Sequence, residues 1–360
     1  MNEKTPMVSV VMAVYNAEKF LSQAIESILS QSFENFEFII VDDGSTDTSW
    51  DIILKYKKTD DRIRSIQLEK NQGVAAASNA GLEVARGKYI ARMDSDDISF
   101  PQRLEKQVIF MEDNPEIGIL GSRIRYIDTE GNLLGCHSEP QKDLFIRWSL
   151  LFKSPFFNSS TLFRKSLLDR YQEVYKPKAR YAEDYDLWIR LLSFTKGENF
   201  PEALLYYRLH PSNLTSTTQN ILEKDVQLTT QAIKKYFKDS LLPDNSIKKL
   251  QGAIRGYPFS ARHKRASLLP LYLKIWQLFY DQYKDNPNII KLKQKVLGDA
   301  VLLVLFPFFQ KESLNALLQL MKTDWKSPLY FLKSFALLLQ RRWAKRPRKL
   351  RTSIKKRKLS

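Results

Sequence analysis

The sequence predicts an α/β fold with a mostly parallel sheet, followed by a helical region and a polybasic tail. Three observations support this. Short apolar runs alternate with segments of helical periodicity over the first hundred residues. Glycine is scarce between residues 216 and 340, where leucine and lysine recur at helical spacing. The last twenty residues hold 11 basic and no acidic side chains. We therefore expect three parts, at 1–215, 216–340 and 341–360.

The first predicted strand and helix lie at residues 8–14 and 17–30. The run 8–14 is apolar and rich in β-branched residues, which is typical of a buried parallel strand. In the segment 17–30 apolar side chains recur at helical spacing, and Asn16 stands where an N-cap residue is expected.

The same alternation continues along the chain. The further predicted elements are strands at 36–41, 63–68 and 88–93 and helices at 46–56 and 74–86. Gly87 is expected to end the second of these helices. Strands that alternate with helices pair in parallel through right-handed crossovers, so we expect a sheet covered by helices.

Composition limits the class of protein. Hydrophobic residues make up 43% of the chain and aromatic residues 12%, which indicates a globular rather than a disordered protein. Cys136 is the single cysteine, which excludes an internal disulfide and favours a reducing compartment. The first apolar run stops at Asn16, too early for a signal peptide, and no apolar run reaches the roughly 18 residues of a spanning helix. We expect a cytoplasmic protein.

Basic residues are concentrated in the second half. Formal net charge is −4 over 1–215, +10 over 216–340 and +11 over 341–360. Such a tail is either a solvated, disordered end or a segment attracted to anionic lipids, by about 1 kcal/mol per basic residue. Apolar segments upstream either form core faces or favour a bilayer; they are 268–279, 300–309 and 328–339. We expect peripheral attachment to the inner face of the cell membrane, and no nucleic-acid partner because no nucleic-acid-binding motif accompanies the charge.

Acidic clusters follow two of the predicted strands. Asp42 and Asp43 follow the second strand, and Asp94, Asp96 and Asp97 follow the fourth. In open α/β sheets ligands bind at the carboxyl ends of strands. Neighbouring carboxylates repel one another unless a cation offsets the charge, and Mg²⁺ or Mn²⁺ shared with substrate phosphates suits such oxygen ligands. The alternative is that these residues only end strands and form turns.

Several common motifs are missing from the sequence. There is no G-x-G-x-x-G, no G-K-[ST], no H-E-x-x-H and no G-x-S-x-G. A dinucleotide fold, a P-loop and a serine hydrolase are therefore disfavoured, and phosphates would be held by a metal and side chains.

Three ordered segments resemble a known family. They read VSVVMAVYNAEKFLSQAIESILSQSFENFEFIIVDDGSTDTS, then NQGVAAASNAGLEVARGKYIARMDSDD, and AEDYDLWIRL at 182–191. Together they closely resemble the family 2 inverting glycosyltransferases with the GT-A fold, of the type that builds bacterial surface polysaccharides. The resemblance covers roughly residues 6–215.

The resemblance implies a nucleotide-diphosphate sugar donor, usually a UDP-sugar, and transfer with inversion to a saccharide or lipid-linked saccharide. By position, Ala13 would contact the nucleotide through its backbone and Tyr15 would stack on the base. Asp43 would accept a hydrogen bond from the ring N–H of the base. Asp94 would lie near the ribose, and Asp96 would bind the Mn²⁺ or Mg²⁺ that bridges the diphosphate.

The resemblance also implies that Asp184 is the general base. A sugar hydroxyl is a poor nucleophile, and a carboxylate that takes its proton contributes about 10²–10⁴-fold to the rate. The alternative is that Glu183, Asp184 and Asp186 are merely first-turn residues favoured by the helix dipole.

Four further features of the sequence bear on the site. His210 and Arg208 lie where members of the family often carry a mobile loop. His210 would either contact the metal or diphosphate or serve only as a surface or capping residue, and Arg208 would either neutralise phosphate charge or form a surface pair. Residues 158–164 would shape the acceptor side. Ser78 stands where many relatives have arginine, so a positive charge would be lost near the donor.

Proteins of other functional classes also carry a D-x-D sequence or a related fold, and three such classes are alternatives for this chain. A haloacid-dehalogenase-like phosphatase usually carries it on the first strand, whereas here it follows the fourth. A nucleotidyltransferase needs a Gly-rich amino-terminal loop with Arg, which is absent. A catalytically inactive sugar-binding or membrane scaffold is expected to lack some of the acidic site residues. Asp43, Asp94, Asp96 and Asp184 are all present.

Overall fold

The structure is a computed structural model with two compact units, Met1–Ile233 and Lys234–Ser360. It describes residues 5–176, 179, 182–211, 213, 227–228, 230–231, 233–234, 237, 244–255 and 268–305. The polybasic tail and the apolar segment 328–339 lie outside the described residues. The predicted domain boundaries at 215 and 340 stay predictions.

The first four strands form the parallel part of the sheet. They are β1 (Val8–Val14), β2 (Phe36–Asp42), β3 (Ile63–Gln67) and β4 (Tyr89–Asp94). Their order is β3-β2-β1-β4 and all three pairings are parallel. The intervening helices are α1 (Leu21–Leu29), α2 (Ser49–Lys57) and α3 (Val74–Glu83). The predicted strand–helix alternation is confirmed.

The sheet continues with strands from later in the chain. They are β5 (Ile98–Ser99), β6 (Ile117–Ile127), β7 (Leu133–His137), β8 (Leu162–Arg164) and β9 (Lys196–Arg208). The order continues β4-β8-β6-β9-β5, with β7 beside β6. Here only β6 and β9 pair in parallel, and the other pairings are antiparallel. The helices of this part are α4 (Arg103–Asp113), α5 (Asp143–Leu150) and α6 (Glu183–Leu191), with 3₁₀ turns at Asn158–Ser160 and Lys165–Arg170.

Helices cover both faces of the sheet, as the alternation predicts. On β1, Val10 and Met12 face a core layer that contains Ile25 of α1, whereas Val11 faces a second layer that contains Trp188 of α6. Side chains on a strand alternate between faces, so an almost wholly apolar strand indicates burial on both sides.

The second unit is helical over its described residues. Its helices are α7 (Asp244–Arg255), α8 (Leu269–Tyr283) and α9 (Ile289–Leu305). The apolar stripe predicted within 268–279 is a core face, because Tyr272, Ile275 and Phe279 are at most 1% exposed. Across the described part of the chain, the helices are too short or too polar to cross a membrane.

Two predicted helix ends are wrong because tertiary contacts replace the local signals. Asn16 does not cap α1, which begins five residues later; its Oδ1 instead accepts the Thr46 N–H at 2.8 Å, and its φ is 48°. Gly87 does not end α3, which stops at Glu83. A Cβ at position 87 would lie 2.5 Å from the Ser9 nitrogen, so glycine is needed for close approach to β1.

Glu37 is a buried carboxylate that joins three strands and the segment after α3. It accepts hydrogen bonds from Ser9 Oγ at 2.7 Å, from the Arg86 N–H at 2.7 Å, and from the guanidinium groups of Arg86 and Arg64 at 3.1 Å. Burial favours the neutral acid, but these donors outweigh it and hold the pKa of Glu37 below its ordinary value of 4.5.

Glu37→Gln is expected to lower the free energy of unfolding by about 2–3 kcal/mol at pH 7, because hydrogen bonds to a buried charge are lost. A pKa lowered by folding adds stability above the unfolded value and loses it as pH falls through the folded value. The difference between variant and wild type should therefore shrink below pH 4.5, the ordinary value. Urea denaturation over a pH series measures this. Glu202→Gln is the control: Glu202 pairs with Lys106 but is 57% exposed, so the change should be below about 1 kcal/mol.

Candidate active site

The parallel register places the predicted acidic clusters at one edge of the sheet. Ala13 on β1 lies beside Val41 of β2 and Asp94 of β4. The N–H of Asp43 donates to the Val14 carbonyl at 2.7 Å, which draws the end of β2 against the end of β1. The strand ends therefore converge, as the sequence predicts for a ligand site.

Asp43 is held rigidly at this edge. Its two carboxylate oxygens accept the N–H groups of Gln72 and Gly73, each at 2.8 Å. Because these residues directly precede α3, the carboxylate lies at the positive end of the helix dipole. Asp43 is 2% exposed, whereas the nearby Tyr15 side chain is 47% exposed and presents its ring to a ligand.

Asp94 lies among several charges. Its N–H donates to Ser159 Oγ at 2.9 Å, which joins β4 to the 3₁₀ turn. Withdrawal from water raises the pKa of Asp94 to about 6; Arg92 opposes this effect, and the charges of Asp96 and Glu183 add to it.

Asp96 and His210 meet, as the sequence suggests. His210 Nε2 lies 2.9 Å from Asp96 Oδ2, and Asn213 Nδ2 donates to the same oxygen at 3.3 Å. The His210 ring also packs on Phe20, with ring centroids 5.0 Å apart. Both contacts to Asp96 are made to the same carboxylate oxygen, Oδ2.

Arg208 forms neither the surface pair nor the phosphate contact considered from the sequence. It is 1% exposed, and its Nε donates to the backbone carbonyl of Asp96 at 2.9 Å. Its N–H donates to Asp97 Oδ1 at 3.0 Å, and its guanidinium packs on Phe20 and donates to Gln23. Through these two hydrogen bonds Arg208 holds the backbone of Asp96 and the side chain of Asp97 in place.

Asp97 is the most deeply buried acid of the cluster. It is 1% exposed, and within the described residues its Oδ2 has no hydrogen-bond partner. Burial raises the pKa of Asp97 well above its ordinary value, and the charges of Asp96 and Asp94 raise it further. A cation beside Asp96 would relieve this repulsion.

Two buried arginines were missed from the sequence. Arg92 of β4 is 1% exposed and donates to the Val11 carbonyl at 3.2 Å and to Ser78 Oγ at 3.0 Å. The positive charge expected to be lost at Ser78 is thus supplied from the neighbouring strand. Arg103 donates to the Thr161 carbonyl, and its burial lowers its pKa to about 10. An arginine within an otherwise apolar strand was the available signal for Arg92.

The acidic pair Glu183 and Asp184 lies in the first turn of α6. Asp184 Oδ2 accepts a long hydrogen bond from Ser154 Oγ at 3.5 Å. Burial first, and then the negative charges of Asp184 and Asp94, contribute to raising the pKa of the enclosed Tyr175 to about 12. Ser154 and Ser159, whose Oγ accepts the Asp94 N–H at 2.9 Å, belong to one short segment, which connects the start of α6 with the end of β4.

The metal-ligating chemistry of the site depends on few protein groups. Within the residues that the structure describes, no three His, Cys, Asp or Glu side chains cluster closely enough to hold a metal by themselves. Mg²⁺ usually binds one or two carboxylates and completes its shell with water and substrate phosphates. Asp96 with His210 fits that pattern.

Sequence comparison decides the family. An uncharacterized glycosyltransferase of Methanocaldococcus jannaschii is 40% identical over 211 residues, which cover 57% of this chain and 71% of that protein. The profile described as Glycosyl transferase family 2 matches residues 9–171, which contain both strand-end acidic clusters. The chain is a family 2 glycosyltransferase. The expected family and GT-A-type α/β fold are confirmed.

Two other comparisons extend this result. The putative teichuronic acid biosynthesis glycosyltransferase TuaG of Bacillus subtilis is 35% identical over 226 residues, 61% of this chain and 85% of that protein. The crystal structure of S. aureus TarS 1–349 in complex with UDP-GlcNAc has a TM-score of 0.54 at 20% identity, covering 82% of this chain and 81% of that one. At 20% identity, the similarity to TarS shows only that the two proteins share a fold.

Proposed function

We propose that this glycosyltransferase transfers a sugar from a nucleotide-diphosphate sugar, a UDP-sugar first of all, to a saccharide or lipid-linked saccharide with inversion at the anomeric carbon. One observation carries the proposal. Ser154 donates to Asp184, and Ser159, five positions later, accepts the Asp94 N–H, so one short segment contacts both acidic groups. This supports a site in which groups for the leaving diphosphate and for the attacking alcohol lie close together.

Asp184 is the proposed general base. As the acceptor hydroxyl oxygen bonds to the anomeric carbon, its proton passes to an Asp184 carboxylate oxygen. The bond from that carbon to the diphosphate oxygen breaks on the opposite face, and the nucleoside diphosphate leaves with the electron pair. A single displacement of this kind inverts the configuration at the anomeric carbon.

The nucleotide side of the site is proposed to use Ala13, Tyr15, Asp43 and Asp94 in the roles that the resemblance implies. The rigid Asp43 and the exposed Tyr15 ring suit recognition of a planar base. Asp96, supported by His210, is proposed to hold Mn²⁺ or Mg²⁺. Such an ion, when bound, supplies Lewis-acid stabilisation of the diphosphate charge.

Polysaccharide synthesis is the proposed role. The name of TuaG states a putative part in teichuronic acid biosynthesis, and TarS was crystallised with UDP-GlcNAc. These names support a UDP-sugar donor and a polymer of the cell surface for this chain.

A donor screen tests the proposal. Purified protein with Mn²⁺ or Mg²⁺ is incubated with UDP-, GDP- and dTDP-sugars, and release of the nucleoside diphosphate is measured. We expect release from a UDP-sugar that stops when EDTA is added. Turnover of p-nitrophenyl phosphate without any nucleotide-sugar turnover would instead indicate the phosphatase, and no turnover of either would indicate the inactive scaffold.

We also propose that the protein works at the cytoplasmic face of the membrane. Residues 341–360 carry 11 basic and no acidic side chains, a pattern that attracts anionic lipids. Removal of 341–360 is expected to weaken sedimentation with phosphatidylglycerol-containing vesicles, and unchanged sedimentation would reject this role of the tail.

A further inference from the structure

Four aromatic rings form a continuous cluster outside the strand-end acids. Phe157 lies 5.3 Å from His137, 6.5 Å from Tyr126 and 6.0 Å from Tyr207, measured between ring centroids. Tyr126 lies 5.9 Å from Tyr207 and 6.0 Å from His137. We call these four residues the aromatic platform. They come from β6, β7, β9 and the segment before the 3₁₀ turn, so the platform joins the carboxyl ends of β6 and β9.

The platform is only half-buried. Tyr126, Phe157 and Tyr207 pack one side against the core cluster that contains Ile124, yet all three keep part of their surface in solvent. The His137 side chain is 41% exposed. The rings meet mostly edge to face, at interplanar angles of 53–89°, and the core beneath them holds this arrangement.

Polar groups lie at the edge of the platform in a fixed arrangement. The Glu139 side chain is 8% exposed and accepts hydrogen bonds from the Lys153 ammonium at 2.5 and 2.6 Å, and His137 Nε2 lies 3.3 Å away. Burial favours the neutral acid, but His137 and Lys153 outweigh it, so the pKa of Glu139 is lowered and the carboxylate is ionised. Lys153 is 43% exposed and keeps N–H groups for a ligand, while its charge is balanced by Glu139.

One short segment connects the platform with the catalytic acids. Within residues 153–159, Lys153 binds Glu139, Ser154 donates to Asp184, Phe157 lies on the platform, and the Ser159 hydroxyl accepts the Asp94 N–H. Phe157 of the platform thus follows Ser154, which binds the proposed base, by three positions, and precedes Ser159, which binds Asp94, by two.

We propose that the aromatic platform, with Lys153 at its edge, binds the sugar ring of the acceptor. The face of a pyranose ring carries C–H groups that pack on the negative face of an aromatic ring, and its hydroxyl groups accept from an ammonium. Because Glu139 balances Lys153, the site suits an uncharged sugar rather than a uronate or a phosphate. This inference rests on the proposed function, since it names the acceptor class of the same site.

Binding of methyl β-glycosides of glucose, galactose and N-acetylglucosamine to the full chain tests the proposal. Saturation-transfer NMR gives the Kd of each glycoside, and acceptor-stimulated UDP release gives its KM. Phe157→Leu keeps the apolar volume but removes the ring. It is expected to raise the Kd and KM for the bound glycoside about three- to tenfold and to leave the KM for the UDP-sugar unchanged. Phe157→Tyr, which keeps an aromatic ring at this position, is expected to show the Kd and KM of the wild type.

Phe110→Leu is the matched control. Phe110 is also half-buried against the same core cluster, and it makes an edge contact with Phe200 at 5.8 Å between centroids. This variant should bind the glycosides as the wild type does. Thermal denaturation of both leucine variants shows whether they are equally folded.

Three outcomes would overturn the platform: no saturable binding of any glycoside to the wild type, equal affinity in the wild type and Phe157→Leu, or equal weakening in Phe110→Leu. Failure of the proposed function is seen separately, as absence of UDP-sugar turnover and of UDP binding. Normal UDP-sugar hydrolysis without glycoside binding would reject the platform and leave the proposed function standing.

Discussion

Asp184→Asn is expected to lower sugar transfer by at least about 10²–10⁴-fold, because asparagine cannot take the proton of the acceptor hydroxyl. The affinity for UDP should stay close to that of the wild type, since Asp184 is proposed to act on the acceptor side. Steady-state turnover gives the first value and calorimetric titration with UDP and Mn²⁺ gives the second. The variant keeps the size of the side chain and an oxygen that accepts from Ser154.

Asp186→Asn is the matched control for Asp184. Both residues lie in the first turn of α6, but Asp186 pairs with Arg190 at 2.8 Å instead of facing the site. If Asp184 and Asp186 served only to interact favourably with the helix dipole, the two variants would lose similar amounts of stability and activity. Full turnover in Asp184→Asn, or an equal loss in Asp186→Asn, would contradict the role of Asp184 as the base.

Asp96→Asn is expected to lower turnover about 100-fold or more and to weaken Mn²⁺ binding in the presence of UDP. The change removes the charge that is proposed to hold the ion, and a bound metal stabilises the leaving diphosphate by several kcal/mol. The amide oxygen still accepts from His210, so the loop geometry is retained. Electron paramagnetic resonance counts free Mn²⁺ directly, and UDP release gives the rate.

Asp113→Asn serves as the control for this experiment. Asp113 is an exposed acid at the end of α4, away from the strand ends. The Asp113→Asn substitution removes one negative charge, as Asp96→Asn does, and should change neither Mn²⁺ binding nor turnover. Mn²⁺ affinity in Asp96→Asn equal to that of Asp113→Asn would mean that another group holds the metal.

The amino-terminal half of the sheet is predictable because its signals are local. β1, β2 and β4 are mostly apolar runs, β3 (IRSIQ) keeps only two apolar residues, and each intervening helix has its own apolar periodicity. The positions of Asp43 and Asp94 at strand ends follow from the strand boundaries, and their convergence follows from parallel pairing. Prediction fails at Asn16 and Gly87, where a contact with Thr46 and a close approach to Ser9 replace the usual helix-end signals.

The remainder of the site depends on residues that are distant in sequence. Arg208 lies beneath the Asp96 loop because β9 pairs with β5 and β6, strands that come about a hundred residues earlier. Arg92 supplies charge beside Ser78 only because α3 packs on β1, the strand that pairs with β4. No local pattern in the sequence predicts such pairings. The free energy of a contact depends on both partners, and these become neighbours only in the folded protein.

The sequence by itself determined the α/β class, the acidic residues at the strand ends and the family to which the chain belongs, because apolar periodicity and short motifs are read along the chain. The tertiary structure decided which charges surround those acids and which aromatic rings pack together at the ends of β6 and β9. Burial and neighbouring charge set the protonation of Asp94 and Asp97, and both quantities exist only when the strands, the helices and the segment 153–159 are packed together.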